Sequence, residues 1–336
     1  MKRVDVIIIG TGPAGLTAGI YASRYKLKTL IIGKLRGGTA GKAYEIYNFP
    51  TYEKILGFEF VEKMVSQVKK LGVEIAEEEV LDIKKSLNAS EGFLDDPKFK
   101  TETKKFMDIK KKENSGFEVT TNKNKYYSKK IIIATGTEKK KLMENEKLHL
   151  PKEKELTGKG ISYCATCDAG LYKNKIVAVV GGSNSALSSA LLLAKYAKKV
   201  YIIYRGGKFY KADPAWIGEI KKNKKITVLL NSEITKLVGK EFLKEIEILE
   251  EEKKRGLNID GLFIEVGNTP NTELARKLNI KFDGDYIEVN KRQETNVNGV
   301  FAAGDITNNP LKQIITACSE GAVAAYSTYK ELEAGK

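Results

Sequence analysis

Apolar residues along this chain fall into short runs that end in glycine, a pattern typical of buried parallel strands. The first run covers 4–9, and it precedes a predicted helix at 13–25 and a second strand at 28–32. This order predicts a βαβ unit at the start of the chain. An amphipathic helix, a further strand and a buried strand with a glycine turn are predicted next, at 58–71, 73–83 and 131–136.

The same pattern restarts in the middle of the chain. A buried strand at 175–180 leads into the turn Gly181-Gly182, a helix of small residues at 185–197 and a strand at 200–204. A last strand and a terminal helix are predicted at 299–305 and 314–329. Two βαβ units without a low-complexity linker predict an α/β fold with two Rossmann-like nucleotide-binding domains, one inserted within the other.

The stretch 86–116 breaks this pattern. It is polar and rich in lysine, and Asp95, Asp96 and Pro97 form a turn signal near its centre. We expect an inserted hairpin or a mobile loop here.

Composition narrows the class of protein. Hydrophobic residues make up 42% and charged residues 30% of the 336 positions, as in ordinary soluble globular proteins. The net charge of +15 fits acidic partners, although a solvated lysine-rich surface explains it equally well. The start of the chain has too short an apolar run for a signal peptide, and no stretch reaches the length of a transmembrane helix. We therefore expect a cytoplasmic protein that does not bind a membrane. The chain has no recognisable nucleic-acid-binding motif, so we expect no nucleic acid partner either.

The segment between the first predicted strand and helix carries a dinucleotide-binding motif. Gly10, Gly12 and Gly15 match the pattern G-x-G-x-x-G directly after a strand. The first glycine permits a tight turn, the second lets the backbone approach a pyrophosphate, and the third allows close packing of helix on strand. The acidic residue expected about 20 positions further on is missing, because Gly33 ends the second strand.

Cys164 and Cys167 form a Cys-x-x-Cys pair that Asp168 follows directly. This spacing indicates a reversible dithiol–disulfide pair or half of a zinc site. A zinc site needs four ligands and would have to recruit both Cys318 and His149, which show no motif spacing, so we predict no metal site. A further alternative is that the two cysteines are unrelated buried thiols. For a redox pair, Asp168 is the candidate proton carrier, and its structural alternative is an N-cap.

Five motifs of this chain occur in the order found in one family. They are Gly10–Gly15, Ala134–Gly136, Gly160–Asp168, Gly267–Pro270 and Gly299–Asp305. With these motifs the chain resembles the low-molecular-weight thioredoxin reductases, which are class II FAD-dependent pyridine nucleotide-disulfide oxidoreductases. The resemblance extends over nearly the whole chain except 86–116.

The resemblance implies an FAD domain made of two segments, 1–137 and 263–336. A smaller NAD(P)-binding-like domain, 138–262, would carry the cysteine pair. The resemblance also implies that this protein forms a homodimer and that its two domains rotate relative to each other during turnover.

The resemblance further implies a role for each redox residue. Cys167 would take electrons from reduced FAD, Cys164 would form a mixed disulfide with a thioredoxin-like protein, and Asp168 would act as acid and base. The implied contacts to non-covalent FAD are Gly10, Gly12, Pro13, Ala14, Gly15, Gly38, Thr39, Asn48, Gly304, Asp305, Gln313 and Ile314. Asp305 would be the carboxylate on the flavin chain, and Lys312 replaces an arginine of the family.

The second glycine turn departs from the family pattern, which makes Gly181, Ser183 and Arg205 doubtful NAD(P) contacts. Ser183 stands where the family has the glycine that pyrophosphate approaches. The acidic residues early in the family's following helix correspond to Ser188 and Ser189. The family ends the next strand with His-Arg-Arg, which clamps the 2′-phosphate of NADPH, whereas this chain has Tyr-Arg-Gly at 204–206.

Three interpretations of these departures stay open. The site could be repaired with Arg205 and Lys208, it could prefer NADH, or electrons could arrive from another donor such as reduced ferredoxin or a deazaflavin. We predict poor reduction by NADPH and improvement by Ser183→Gly together with Gly206→Arg. The alternative function is a flavin-dependent NAD(P)H or ferredoxin-linked oxidase that passes electrons to oxygen or another acceptor.

Overall fold

The computed structural model describes residues 1–87, 115–142, 150 and 152–334. Its strands are β1 Lys2–Ile9, β2 Thr29–Ile32, β3 Glu45–Ile46, β4 Ile55–Leu56, β5 Glu74–Ala76, β6 Val80–Leu87, β7 Ser115–Thr121, β8 Lys125–Ile133, β9 Thr137–Lys139, β10 Ile161–Ser162, β11 Ile176–Val180, β12 Lys199–Ile203, β13 Ile226–Leu229, β14 Ser232–Gly239, β15 Leu243–Glu250, β16 Lys253–Asn258, β17 Gly261–Ile264, β18 Asn268–Pro270, β19 Phe282–Asp283, β20 Tyr286–Ile287 and β21 Val300–Ala302. Its helices are α1 Pro13–Arg24, α2 Gly57–Lys70, α3 Lys152–Leu156, α4 Ala165–Asp168, α5 Asn184–Tyr196, α6 Pro214–Lys222, α7 Glu273–Lys277 and α8 Ile314–Ala334.

The chain divides into two compact units. Unit 1 consists of Met1–Thr137 and Pro270–Lys336, and unit 2 consists of Glu138–Thr269. The predicted boundary at 262/263 was therefore misplaced. It cuts through β17, which pairs in parallel with β10 and β11 and so belongs to unit 2.

Unit 1 is built on a sheet with the order β5-β2-β1-β8-β7-β6, and β21 pairs with β8 as well. The neighbours β5, β2, β1, β8 and β21 run in parallel. Alternate residues of β1 bury into two cores: Val6 and Ile8 on one face, Ile7 and Ile9 on the other. Burial on both faces explains why this strand is apolar without alternation.

Unit 2 contains a parallel sheet with the order β10-β17-β11-β12-β13 and an antiparallel sheet β14-β15-β16. Helix α5 follows β11 directly, as in the first βαβ unit. A core of aliphatic side chains that includes Ala178, Ile246 and Leu262 draws on both sheets. The predicted α/β class with two Rossmann-like units is confirmed, and unit 2 is inserted between the two chain segments of unit 1.

Several predicted elements differ from the structure in length or number. The stretch 73–83 holds β5 and the start of β6 rather than one strand, and the terminal helix α8 continues to Ala334. The strand predicted at 299–305 ends at Ala302, because Gly304 turns the chain with a φ of 86°. Most of the predicted insertion lies outside the described residues; the strands on either side of it, β6 and β7, pair antiparallel.

Candidate active site

The turn between β1 and α1 requires glycine at two positions. Gly10 has a φ of 122°, and a Cβ there would overlap the carbonyl oxygen of Ala134, the residue that follows the neighbouring strand β8. A Cβ on Gly15 would overlap the carbonyl of Gly10, so helix α1 packs directly on the turn. These contacts explain the first and third glycines of the motif in terms of packing.

Gly12 meets open space instead. It precedes α1 in an extended conformation, and a Cβ placed on it would have no atom within 4 Å. Pro13 occupies the first position of the helix, whose free N–H groups face the same space. A Cβ on Gly38 would come within 3.2 Å of the Cα of Gly12, so a second glycine borders this opening. The arrangement fits a pyrophosphate at the N-terminus of α1.

The other predicted FAD contacts come from both segments of unit 1, and one of them, Gly304, lies against this turn. Gly304 abuts Ala14: a Cβ on it would lie 2.9 Å from that alanine's Cβ. The half-buried Asp305 follows in the chain. Asn48 donates a hydrogen bond to Gln313 across 2.9 Å, which joins two predicted contacts that are 265 positions apart. Thr39 is exposed, and Ile314 packs half-buried against the core of unit 1.

Glu320 is a residue of this region that sequence reasoning missed. Its side chain is buried, and its carboxylate accepts hydrogen bonds from the Gly304 N–H and the Thr307 hydroxyl, each at 2.8 Å, and from the Asn309 amide. The carboxylate therefore holds the turn that carries Asp305. Sixteen positions separate Glu320 from Gly304, so only the packing of α8 reveals the connection.

Two further charges lie beside this carboxylate. Burial raises the pKa of Asp305, with Lys312 opposing the shift and Glu320 adding to it. Burial also lowers the pKa of the Lys312 amine, which donates to the Thr307 carbonyl and lies 4.1 Å from the centroid of the Tyr286 ring. The lysine that replaces the family's arginine is thus a half-buried cation near the predicted flavin-chain carboxylate.

Unit 2 carries the cysteine pair on α4, which directly follows β10. Cys164 and Cys167 are joined by a disulfide with a Cα–Cα distance of 5.3 Å. Cys164 precedes the helix as its N-cap, and its sulfur accepts a hydrogen bond from the Cys167 N–H at 3.2 Å. Within unit 2, Cys164 is half-buried and Cys167 is exposed. A backbone N–H at the sulfur favours the thiolate, which suits Cys164 as the attacking residue.

Asp168 is held by a serine that sequence reasoning missed. Ser162, buried at the end of β10, donates its hydroxyl to a carboxylate oxygen of Asp168 at 2.7 Å. The same hydroxyl oxygen accepts the Cys164 N–H at 3.0 Å. Asp168 makes no side-chain cap bond to the 3₁₀ turn Ala169–Tyr172, so the N-cap alternative finds no support.

A buried carboxylate supports the residue before the disulfide. Glu153 is fully buried and accepts hydrogen bonds from the Tyr163 hydroxyl at 2.6 Å and from the Leu142 N–H at 2.9 Å. Tyr163 directly precedes Cys164 in the chain. The polar contacts of Tyr163 and Ser162 fix the backbone on which the cysteine pair begins.

The second glycine turn has the same backbone geometry as the first at two corresponding positions. Gly181 has a φ of 141°, and a Cβ there would overlap the carbonyl of Glu265. In the same way, a Cβ on Gly10 would overlap the carbonyl of Ala134. Ser183 precedes α5 with φ −97° and ψ 175°, close to the −77° and −179° of Gly12. The Ser183 side chain therefore occupies, in the second turn, the position that corresponds to the open space at Gly12 in the first turn, where a pyrophosphate would approach. The predicted crowding of this position has a structural basis.

An unexpected carboxylate lies next to this turn. Glu265 is buried, pairs with the Lys139 amine and accepts a hydrogen bond from the Ser189 hydroxyl at 2.9 Å. Ser189 stands where the family's helix carries an acidic residue. A carboxylate thus lies beside Ser189, but it comes from the residue after β17 instead of from α5.

The remaining candidates have no assigned role in this site. Arg205 is exposed, as are Lys208 and Lys211. Cys318 is a free, half-buried thiol on α8 whose pKa burial raises, and His149 lies outside the described residues. Within the described ranges, no group of three or more His, Cys, Asp or Glu side chains could hold a metal ion. No helix in that part of the chain is long and apolar enough to cross a membrane.

Comparison with known proteins gives one consistent picture. Residues 4–321 match the family described as pyridine nucleotide-disulphide oxidoreductase. A 34.2 kDa protein in the rubredoxin operon of Clostridium pasteurianum is 36% identical over 98% of this chain and 97% of its own. The thioredoxin reductase of Bacillus subtilis is 35% identical over 99% of this chain and 96% of its own.

Solved structures agree with these relatives. The thioredoxin reductase of Lactococcus lactis aligns with a TM-score of 0.85 and 31% identity, covering 98% of this chain and 99% of that one. The thioredoxin reductase of T. acidophilum aligns with the same score, 32% identity and the same coverage.

Proposed function

This chain belongs to the pyridine nucleotide-disulphide oxidoreductase family and is an FAD-dependent disulfide oxidoreductase similar to thioredoxin reductases; we propose that it reduces a thioredoxin-like protein through Cys164 and Cys167. The observation that carries the proposal is the Cys164–Cys167 disulfide at the start of α4, with Asp168 fixed beside it by Ser162. When bound, FAD supplies a two-electron carrier between the electron donor and this disulfide.

The residues at the first glycine turn fit FAD. Gly12 leaves room for the pyrophosphate, Gly38 borders the same space, and Asp305 is held on a turn next to α1. We propose that these residues bind the dinucleotide, together with the Asn48–Gln313 pair. Lys312 adds a positive charge near Asp305.

The chemistry at the cysteines balances as follows. Two electrons and two protons convert the Cys164–Cys167 disulfide into a dithiol. The Cys164 thiol loses its proton, attacks one sulfur of the partner's disulfide and forms a mixed disulfide, and the partner sulfur released in this step takes up a proton. The Cys167 thiolate then attacks the Cys164 sulfur. The partner leaves as a dithiol and the enzyme's disulfide is restored. Asp168 accepts the proton that Cys167 must lose and returns it to the departing thiolate.

The partner's docking surface begins beside the disulfide. Leu171 lies on the 3₁₀ turn Ala169–Tyr172, directly after α4, and is 70% exposed. A large apolar side chain at this exposure, four positions after Cys167, offers a contact for the apolar rim around a partner's own disulfide. We propose that this leucine takes part in recognition of the thioredoxin-like protein.

For the electron donor, we propose a carrier other than NADPH. Ser183 fills the position that a pyrophosphate approaches, and Gly206 removes one side chain of the phosphate clamp. The net charge of +15 favours an acidic protein such as ferredoxin, and a reduced deazaflavin is the small-molecule alternative. The homodimer implied by the resemblance and the cytoplasmic location expected from the sequence are part of the same proposal.

One titration tests the donor and the acceptor together. The purified yellow protein is titrated without oxygen with NADPH, NADH, reduced ferredoxin and a reduced deazaflavin, while flavin absorbance is followed. We expect bleaching with one of the last two, followed by reduction of a thioredoxin-like protein that Cys164→Ser and Cys167→Ser each abolish without loss of FAD. Retention of most of that activity in either variant would refute the proposed function. Fast oxygen consumption without a thioredoxin-like acceptor would favour an oxidase.

A further inference from the structure

Tyr204, the residue that follows β12, is packed between two glycine backbones. A Cβ placed on Gly182, inside the second glycine turn, would overlap the Tyr204 ring. A Cβ placed on Gly206 would lie 2.8 Å from Cε1 and 3.0 Å from Cζ of the same ring. Phe209 stacks on it, with ring centroids 5.4 Å apart and planes inclined by 24°. The ring is therefore fixed by contacts from several directions.

This ring lies where a dinucleotide would bind in a Rossmann unit. The pyrophosphate rests on the glycine turn after the first strand, and the ribose of the adenosine is held at the end of the second strand. Gly182 belongs to that turn, and Tyr204 stands at that strand end. The Tyr204 ring thus covers the backbone between the two places.

The segment after Tyr204 is anchored to the same turn. Lys211 pairs with Ser183 in an isolated parallel bridge. Asp213 and Asn184 exchange two hydrogen bonds, from the Asn184 amide at 2.9 Å and to its carbonyl oxygen at 2.7 Å. The other end is held by backbone hydrogen bonds from the Tyr204 N–H to the Leu229 carbonyl at 2.9 Å and from the Ser232 N–H to the Tyr204 carbonyl at 3.1 Å. The backbone that carries the ring is therefore fixed at both ends of the stretch 204–213.

We propose that Tyr204 is the residue that prevents a 2′-phosphate clamp at position 206, because its ring occupies the space that a side chain there would need, and that it acts together with Ser183 in excluding NADPH. The inference rests on the proposed function and deepens it. Gly206 then does more than lack the side chain of a phosphate clamp: glycine is the residue that fits beside the Tyr204 ring. The prediction that Ser183→Gly with Gly206→Arg improves NADPH use is therefore incomplete, because the new side chain would collide with Tyr204.

The test compares binding of NADP⁺ and of 2′,5′-ADP to holoenzyme variants by calorimetry. Gly206→Arg alone should bind no better than the wild type. Adding Tyr204→His should improve binding of both probes at least about tenfold, the effect of one recovered charge-assisted contact. Tyr204→Ala with Gly206→Arg should show the same gain, since the inference requires only that the ring be absent. The matched control is Tyr210→His with Gly206→Arg, because Tyr210 is an exposed tyrosine of the same stretch.

Each outcome bears on the inference. An equal gain from Gly206→Arg alone, no gain from either Tyr204 double variant that retains FAD, or micromolar binding by the wild type would overturn it. Reduction of the thioredoxin-like protein, driven by chemically reduced flavin, is measured on the same samples. Absence of that activity in the wild type would refute the proposed function, while the comparison of NADP⁺ binding between variants would remain valid.

Discussion

The Ser162 hydroxyl donates to Asp168 across 2.7 Å while its oxygen accepts the Cys164 N–H at 3.0 Å. One buried hydroxyl thus joins the candidate proton carrier to the backbone of the first cysteine. We expect Ser162→Ala to lower kcat about tenfold, the value of one hydrogen bond to a charged group, and to leave KM for the thioredoxin-like protein unchanged. Steady-state kinetics measure both.

The position of this serine can be separated from a general effect on folding. Ser162→Thr keeps the hydroxyl and should restore most of the rate. In an Asp168→Asn background, Ser162→Ala should cost much less than in the wild type, because the carboxylate it positions is gone. Equal costs in the two backgrounds would contradict a role that acts through Asp168.

Gly12→Val should give protein that purifies without flavin. The added side chain would fill the open space where the pyrophosphate is expected, beside the N-terminus of α1. The ratio of flavin absorbance to protein absorbance measures the loss. Gly218→Val is the matched control, because Gly218 also meets open space but lies in α6 of unit 2. A fully yellow Gly12→Val protein would show that FAD does not bind at this turn.

Glu320→Gln should weaken FAD binding and lower the free energy of unfolding by about 1–3 kcal/mol, the cost of leaving buried donors poorly paired. The amide offers one acceptor oxygen where the carboxylate satisfies three donors. Urea unfolding and flavin retention in dilute solution are the measurements. Glu331→Gln on the same helix, whose carboxylate pairs with Lys130 at a more exposed place, is expected to retain its flavin.

Leu171→Glu should raise KM for the thioredoxin-like protein about tenfold and leave the reduction of a small disulfide reagent unchanged. The reason is that Leu171 is exposed directly after α4, and a carboxylate there would remove an apolar contact and add a desolvation cost. Phe242→Glu alters another exposed apolar residue of unit 2 and serves as control. An unchanged KM in Leu171→Glu would remove this residue from the docking surface.

The Glu78 carboxyl should make the stability of the folded protein depend on pH. Burial tends to raise the pKa of this carboxyl, but hydrogen bonds from Thr121, Asn124 and Tyr126 outweigh it, so the pKa is lowered from 4.5. A lowered pKa in the folded state stabilises the protein above 4.5, and this stability is lost as pH falls through the folded value. Glu78→Gln should therefore cost about 1–3 kcal/mol at pH 7, and the difference from wild type should shrink below pH 4.5. Glu79→Gln makes the same substitution at the neighbouring exposed position and serves as the control.

The parts of this site that the sequence could predict are those with local signals. Gly10, Gly12 and Gly15 lie within six positions, and the cysteine pair is adjacent to Asp168, so spacing alone predicts their chemistry. Glu320 and Ser162 escaped prediction for different reasons. Glu320 acts 16 positions away through helix packing, while Ser162 is close in sequence but carries an ordinary residue type whose role depends on one side-chain orientation.

The second glycine turn shows a further limit. From the sequence, Ser183 and Gly206 were recognised as two departures from the family pattern, and their effects on NADPH binding were taken as independent. The Tyr204 ring connects Gly206 to the turn, because the ring touches Gly182 as well. Such coupling between positions 182, 204 and 206 depends on where a side chain points, which residue spacing does not encode.

The division of unit 1 into Met1–Thr137 and Pro270–Lys336 has a consequence for synthesis of the protein. Strand β21 and helix α8, which carry the Gly304 turn and Glu320, leave the ribosome only after the whole of unit 2 has been made. Unit 2 is continuous in sequence and can fold while the first segment still waits for its partner strand. With FAD bound as proposed, the flavin can enter only after the second segment of unit 1 has joined the first, so the yellow colour reports that both segments have come together.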